Sequence, residues 1–260
     1  MRVVSLHPDV LVATSRIWQT TCTIVRGGDE AFIIDSPVLP DELEILPALL
    51  EQSHFPAPSG LLVTHADWDH LLARLAFPDA ALGCATTSAE RMRSAPGDTQ
   101  RELRAFDDEH YVQRMKPLAL GSVQALDVPG GCEIGEHELA LHPAEGHTAD
   151  GMALWIDWAA VLVAGDYLSA VEIPVLGEGG SIDAYSTTLE RLRPLVSSAE
   201  HVVPGHGPVL DRARALRVLE EDVAYLADLR ERGAAAKLPD RRSTKAQRVL
   251  HQANVARAEC

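Results

Sequence analysis

Several short apolar runs in this chain end in a histidine or an aspartate that is followed by glycine or another turn residue. Residues 61–64 lead into HADWDH, residues 160–164 into GD, and residues 201–203 into PGHG. Short runs of β-branched and apolar residues bounded by turn residues are typical of buried strands. Because a sheet holds the loops at its edge rigidly, the pattern predicts strand ends that converge on one polar site.

The remaining chain combines short strands with fewer helices, without regular alternation of the two. Residues 21–25 and 31–35 flank Gly27 and Gly28 and predict a β-hairpin. Further strands are predicted at 81–85, 122–127, 138–142 and 152–156, and helices at 40–52, 71–76, 182–195, from 211 onward and at 244–258. This order predicts an α/β (α+β) fold with layers of helix, sheet, sheet and helix. We expect a single domain over 1–260, with C-terminal helices over about 211–260.

Charge and hydropathy exclude several classes of partner. The formal net charge of −15 disfavours nucleic acid, because binding to its phosphates depends on clustered Lys and Arg. No apolar run approaches the roughly 18–20 residues of a membrane span. The start, MRVVSLHPDV, is typical of neither a signal peptide nor a transit peptide. We therefore expect a cytoplasmic protein that binds a small molecule, with neither nucleic acid nor membrane as partner.

Seven side chains at the predicted strand ends are candidate metal ligands: His65, Asp67, Asp69, His70, His147, Asp166 and His206. A mixture of imidazole and carboxylate groups suits zinc, iron or manganese better than Cu(I) or calcium. The turn HADWDH can place two alternating sets of ligands in one small volume, so two neighbouring cations could be bound. Two cations about 3.5–4 Å apart can polarise a substrate oxygen and activate the water that attacks it.

In this order the motifs resemble those of the metallo-β-lactamase superfamily, whose signature is HxHxDH, GHT, GD and a GHG-type histidine. The chain has HADWDH (65–70), GHT (146–148), GD (165–166) and GHG (205–207), and the resemblance covers roughly residues 15–230. It implies a four-layer αββα sandwich that holds two divalent metal ions, zinc first, with iron or manganese as alternatives. The implied activity is that of a hydrolase in which a metal-held hydroxide attacks an ester-like bond. The resemblance is also compatible with a homodimer.

The resemblance also implies a role for each motif residue. It assigns His65 and His147 to the first metal, Asp69, His70 and His206 to the second, and Asp166 to both. Asp69 or Asp67 would orient the attacking hydroxide, which makes both candidate catalytic residues. Asp35, at the end of VRGGDEAFIIDSP, would support the metal loop from behind.

Position 67 departs from the family pattern, because an aspartate stands where the signature has its second histidine. Asp67 either binds the first metal or leaves that site with fewer ligands. If it binds, the charge of two divalent ions, Asp69, Asp166 and hydroxide falls from +1 to zero. A less positive pair polarises its substrate less, and an oxygen ligand favours iron or manganese. The superfamily's flavo-diiron reductases are similar in having a glutamate at this place.

From the sequence alone, Asp67→His is expected to raise zinc affinity relative to iron or manganese, because imidazole is the softer ligand. Titration of the apo-protein with the three metals would measure this selectivity. Unchanged stoichiometry and selectivity would mean that Asp67 does not contact the metals.

Three functions remain open at this point. The first is hydrolysis of a lactone, thioester, ester or amide. The second is an iron-dependent redox reaction, of the persulfide dioxygenase or diiron oxygen reductase type. The third is metal binding without catalysis.

The roles of three further residues also remain open. Tyr167 is next to Asp166 and could approach a substrate carbonyl or simply pack. His110 lies in the polar segment 91–116, which we interpret as helix and loop outside the core, and it could contact a substrate there. His251, in the final helix, could face the site.

Overall fold

The computed structural model describes residues 1–258, which form two β-sheets with helices on their outer faces. The strands are β1 (Arg2–His7), β2 (Val10–Thr14), β3 (Thr21–Gly27), β4 (Glu30–Asp35), β5 (Gly60–Val63), β6 (Ala81–Ala85), β7 (Val123–Leu126), β8 (Gly130–Ile134), β9 (His137–Pro143), β10 (Met152–Ile156), β11 (Val161–Gly165), β12 (His201–Pro204) and β13 (Leu210–Asp211). The helices are α1 (Pro40–Gln52), α2 (Ala73–Ala76), α3 (Thr86–Ser94), α4 (Asp98–His110), α5 (Ile182–Ser198), α6 (Arg212–Arg232) and α7 (Lys245–Ala258). None of these helices combines the length and the apolar character needed to cross a membrane.

The strand order places the ends of several strands at one edge of the molecule. The first sheet runs β1 to β7 in sequence order, and the second has the order β13-β12-β11-β10-β9-β8. Most pairs are antiparallel, but β4, β5, β6 and β7 run parallel to one another, as do β11 and β12. Parallel neighbours end at the same edge of their sheet. The loops after β4, β5, β11 and β12 therefore start from two pairs of adjacent strand ends.

Apolar side chains form three cores, and each core lies between two neighbouring layers of the fold. On β5, Leu61 and Val63 face the helices outside the first sheet, whereas Leu62 faces the second sheet. Side chains from both sheets, such as Val12 and Leu154, fill the space between them. Outside the second sheet, α5 and α6 bury a third core. This confirms the predicted arrangement of helix, sheet, sheet and helix.

Most predicted elements occur close to their expected bounds, and 40–52, 81–85 and 152–156 match to the residue. Strands β1, β2, β8 and β13 were not among the elements predicted from the sequence. Exposed and half-buried positions mix along β1, so it lacks a clear alternation of apolar and polar residues. Strand β8 begins with two glycines, which have low strand propensity.

The interpretation of segment 91–116 as lying outside the core was wrong. Helices α3 and α4 occupy most of it, and α4 buries Leu103 and Phe106 in the core outside the first sheet. The Phe106 ring lies 4.7 Å from that of Trp68 in the HADWDH motif. Two apolar residues three positions apart in a charged stretch are too sparse to produce a strong helical signal.

The C-terminal helices hold the loop that follows β11. Arg242 is fully buried, and its guanidinium donates to the Asp222 carboxylate at 2.5 Å and to the carbonyls of Ser169 and Glu172 at 3.1 and 2.8 Å. From α7, the Gln247 side chain accepts the backbone N–H of Ile173 in the same loop. The loop therefore obtains part of its hydrogen bonding from residues far downstream in the chain.

We expect Arg242→Met to lower the free energy of unfolding by about 3–5 kcal/mol, because it leaves the buried Asp222 carboxylate without its cation. Arg241→Met changes the exposed neighbour and is expected to cost no more than about 0.5 kcal/mol. Urea unfolding of both variants measures the difference. Equal stability of the two variants would contradict this role of Arg242.

Candidate metal centre

Two buried carboxylates fix the backbone of the loop that follows β5. Asp35, at the end of β4, accepts the Thr64 N–H at 2.8 Å and the Thr64 hydroxyl at 2.9 Å. Asp150, in the loop between β9 and β10, accepts the Ala66 N–H at 2.9 Å. The HADWDH motif then continues into a short 3₁₀ helix, Trp68–His70. Its side chains are thus presented from a backbone anchored on both sides.

The first group of candidate ligands consists of His65, Asp67 and His147. The Asp67 Oδ2 lies 3.5 Å from the Nε2 of His65 and 3.5 Å from the Nε2 of His147. His147 Nδ1 lies 2.8 Å from the Val175 carbonyl, which can only accept, so this nitrogen carries the proton. Its Nε2 is then free to bind a cation, as is usual for metal-binding histidines.

The second group consists of Asp69, His70 and His206. The Asp69 Oδ2 lies 3.7 Å from the Nε2 of His70 and 3.4 Å from the Nε2 of His206. On its other side, His70 places Nδ1 3.0 Å from Asp35 Oδ2. The carboxylate that anchors Thr64 therefore also lies against the fully buried His70 ring.

Asp166 lies between the two groups, directly after β11. Its Oδ2 is 3.3 Å from the Nε2 of both His147 and His206, and its Oδ1 is 3.3 Å from the Nε2 of His70. A Cβ atom at Gly205 would overlap with Asp166 Oδ1. Glycine in the PGHG motif therefore lets the strand ends approach closely enough for Asp166 to reach both groups.

The candidate ligand atoms suit metal ions both in their chemistry and in their spacing. Among the buried side-chain atoms of residues 1–258 that lack a hydrogen-bond partner, four are donor atoms of this cluster: the Nε2 atoms of His65, His70 and His147 and the Oδ1 of Asp166. Buried polar atoms without partners are rare in folded proteins. The separations of 3.3–3.7 Å between these ligand atoms are close to the roughly 3.3 Å expected between ligands of a tetrahedral site with bonds of about 2.0–2.1 Å. Three overlapping sets of these residues could each hold an ion.

The cluster carries opposed charges at close range. Burial alone would lower the pKa of His147 and of His206, but the Asp166 carboxylate raises these values to about 9 and about 10. The pKa of Asp67 lies well below its usual range despite burial, because His65 and His147 favour its ionised form. The neighbouring histidines likewise hold the pKa of Asp166 well below its usual range although burial would raise it, so Asp67 and Asp166 are anions that offer negative charge to a cation in the centre.

All seven predicted ligands come together in the structure, and Asp35 supports the loop as expected. Tyr167 does not face a substrate, because its hydroxyl accepts the His147 N–H at 3.0 Å and donates to the Ala144 carbonyl at 3.1 Å. His251 contacts the Tyr225 hydroxyl at 3.0 Å and belongs to the packing of α7. His110 is exposed and stacks on Phe106.

Three residues near the centre escaped the sequence analysis. Arg91 on α3 reaches Asp67 and Asp150, and Glu172 lines a small cavity together with Asp166 and His206. Asp150 could have been predicted from the sequence, since it lies three residues after His147 in a turn-rich motif. No sequence pattern indicates Arg91 or Glu172, because their positions depend on contacts between distant segments.

His206→Ala is expected to reduce the tightly bound metal from two equivalents to about one, because it removes a ligand of the second group. The matched control is His201→Ala, which changes a half-buried histidine at the opposite end of β12. Metal analysis after gel filtration gives the stoichiometry, and circular dichroism monitors the fold. Two full equivalents in His206→Ala would exclude this residue as a ligand.

Comparison with known proteins identifies the family. The family model for the metallo-beta-lactamase superfamily matches residues 16–228. A Caenorhabditis elegans protein, "Beta-lactamase-like protein 2 homolog", is 36% identical over 78 residues, which are 28% of this chain and 23% of that protein. The chain thus spans about a quarter of this curated relative.

Among solved structures, the metallo-beta-lactamase family protein TTHA1429 from Thermus thermophilus aligns with a TM-score of 0.68 at 18% identity, covering 87% of this chain and 82% of that one. TTHA1623 in a di-iron-bound form aligns with a TM-score of 0.60 at 22% identity, covering 80% and 97%. These likenesses support the fold. With the family model matching most of its length, the chain belongs to the metallo-β-lactamase superfamily.

Proposed function

We propose that this protein is a metal-dependent hydrolase that cleaves an ester-like carbonyl bond in a small molecule: a lactone, thioester, ester or amide. The observation that carries the proposal is the position of Asp166, whose two oxygens lie 3.3 Å from histidine nitrogens of both ligand groups. One carboxylate shared by two such groups is suited to a pair of neighbouring cations. Zinc is the first candidate because most of the donors are imidazoles.

His65, Asp67 and His147 would hold one cation and Asp69, His70 and His206 the other, with Asp166 shared. When bound, such a pair polarises a substrate carbonyl and lowers the pKa of water. The chain itself must then orient that water and accept its proton. Asp67 has one oxygen committed to Arg91. Asp69 is the freer carboxylate, so we assign it the proton-accepting role.

The surroundings of the centre favour neutral or cationic substrates over phosphate esters. Glu172 lines the cavity next to Asp166 and His206. The nearby cation, Arg91, is engaged by Asp67, Asp150 and the exposed Glu178. An anionic substrate would therefore meet several carboxylates and an arginine that is already paired.

An apolar surface lies beside the centre as well. Trp18, 43% exposed, packs its ring 5.5 Å from that of Trp68 and 5.0 Å from that of Phe106. Its carbonyl lies 3.2 Å from His206 Nδ1, so the aromatic group is held next to the second ligand group. We propose that this surface binds an apolar part of the substrate.

An iron-dependent redox reaction is the second candidate, and the oxygen of Asp67 in the first ligand group favours it. Replacing an imidazole by an oxygen ligand shifts the preference from zinc toward iron or manganese, and the related fold of TTHA1623 was solved in a di-iron-bound form. Iron in protein produced without added zinc, together with consumption of oxygen, would support this candidate over hydrolysis.

We expect the zinc-loaded protein to hydrolyse neutral lactones or thioesters and to leave bis(p-nitrophenyl) phosphate almost untouched. Chelation should abolish turnover and zinc should restore it. Assayed with both metal equivalents bound, Asp69→Asn is expected to lower kcat by roughly 10²–10⁴-fold, because an amide cannot accept the proton. The matched control is Asp29→Asn, which changes an exposed carboxylate in the turn between β3 and β4. Full metal occupancy with no turnover of any carbonyl substrate would reject the hydrolase and favour a binding protein.

A further inference from the structure

Asp67 divides its two carboxylate oxygens between two different partners. Oδ2 faces the Nε2 atoms of His65 and His147, both at 3.5 Å. Oδ1 accepts a hydrogen bond from Arg91 Nη1 at 2.7 Å. The side chain is therefore held with one oxygen directed into the first ligand group and the other directed away from it.

Arg91 reaches this position from α3 and is itself fixed. The same Nη1 atom lies 3.0 Å from Asp150 Oδ1, and Asp150 is 2% exposed. The second oxygen of Asp150 accepts the Ala66 N–H at 2.9 Å. Arg91 thus joins the side chain of Asp67 to the carboxylate that anchors the backbone just before it.

A histidine and an aspartate need different support when they bind a metal. A histidine is oriented by a hydrogen bond from its second ring nitrogen, as His147 is by the Val175 carbonyl. An aspartate has no proton to donate, so its second oxygen needs a donor. A cationic donor also offsets the added negative charge.

We propose that Arg91 is the positioning residue that allows an aspartate to occupy position 67, holding Oδ1 so that Oδ2 stays available to a cation bound between His65 and His147. This rests on the proposed metal centre. Arg91 also adds a positive charge beside Asp67 that the sum of ion and ligand charges predicted from the sequence did not include.

Arg91→Gln, Asp67→His and the double variant form a cycle that tests the proposal. Arg91→Gln also weakens the contact with Asp150 and removes a positive charge near the cations. Both of these effects occur whether position 67 is aspartate or histidine, so they cancel when the two backgrounds are compared. The difference between the effects of Arg91→Gln in the two backgrounds measures how far metal binding by Asp67 depends on Arg91.

The measurement is a competition titration of each apo-protein with zinc against a chromophoric chelator, which gives two stepwise dissociation constants. We expect Arg91→Gln to weaken one of them by roughly 10–100-fold in the otherwise unchanged protein. In the Asp67→His background the same substitution should have an effect at least about tenfold smaller. General loosening of the motif would instead weaken both constants, because HADWDH contributes to both ligand groups.

Two further variants complete the design. Arg93→Gln changes an exposed arginine on the same helix and should leave both constants unchanged. Arg91→Lys keeps the charge but not the guanidinium geometry, and it replaces Arg91→Gln in the cycle if the latter does not fold, as judged by the melting temperature of the apo-protein.

Equal effects of the Arg91 substitution in the two backgrounds, within about threefold, would overturn the proposal. A wild-type protein that binds no zinc, iron or manganese would overturn both this proposal and the metal centre. Coupling between the two positions in a protein that binds zinc but hydrolyses nothing would support the role of Arg91 while rejecting the proposed function. The two proposals can therefore fail separately.

Discussion

The hydrogen bonds that Asp35 and Asp150 accept from the backbone of Thr64 and Ala66 determine where the rest of the centre can lie. Bonds of backbone N–H groups to ionised carboxylates are stronger than those between neutral groups. Leaving such a buried carboxylate unpaired would cost several kcal/mol. The residues between and after these anchors therefore have little freedom. Five of the seven candidate ligands depend on this, because four lie in HADWDH and His147 lies in the same loop as Asp150.

The apolar core between the sheets sets the distance between the two sides of the centre. Hydrogen bonds at the edge of the sheets then fix this distance more closely. Thr21 at the start of β3 donates its N–H to the Gly205 carbonyl at 2.8 Å and its hydroxyl to the Pro204 carbonyl at 2.7 Å. These bonds link the first sheet directly to the end of β12, next to His206. The position of the ligands thus follows from non-directional burial that brings the sheets together and from a few directional bonds at their edge.

The sequence allowed the metal cluster to be predicted because each ligand follows a strand whose apolar character is itself visible. Asp166 and His206 could be paired with HADWDH from motif order, although they lie about a hundred residues or more away. Arg91 could not, since one arginine among many in a charged helix has no spacing that distinguishes it. Its role comes from partners 24 and 59 residues away in the chain. A ligand that belongs to a sequence motif can be predicted from the residues around it. A residue that supports a ligand from a distant segment can be identified only from the structure.

A change of ligand type at position 67 involves more than one residue, because histidine and aspartate need different partners. An imidazole in this place could be oriented by a backbone carbonyl, which any loop can provide. A carboxylate requires a donor, and an unpaired anion close to Asp150 and Asp166 would be repelled by both. Helix α3 provides that donor from outside the four motifs, through a side chain that is 20% exposed. The departure from the family signature and the position of α3 are therefore parts of one structural adaptation, and an aspartate at position 67 is best understood together with Arg91.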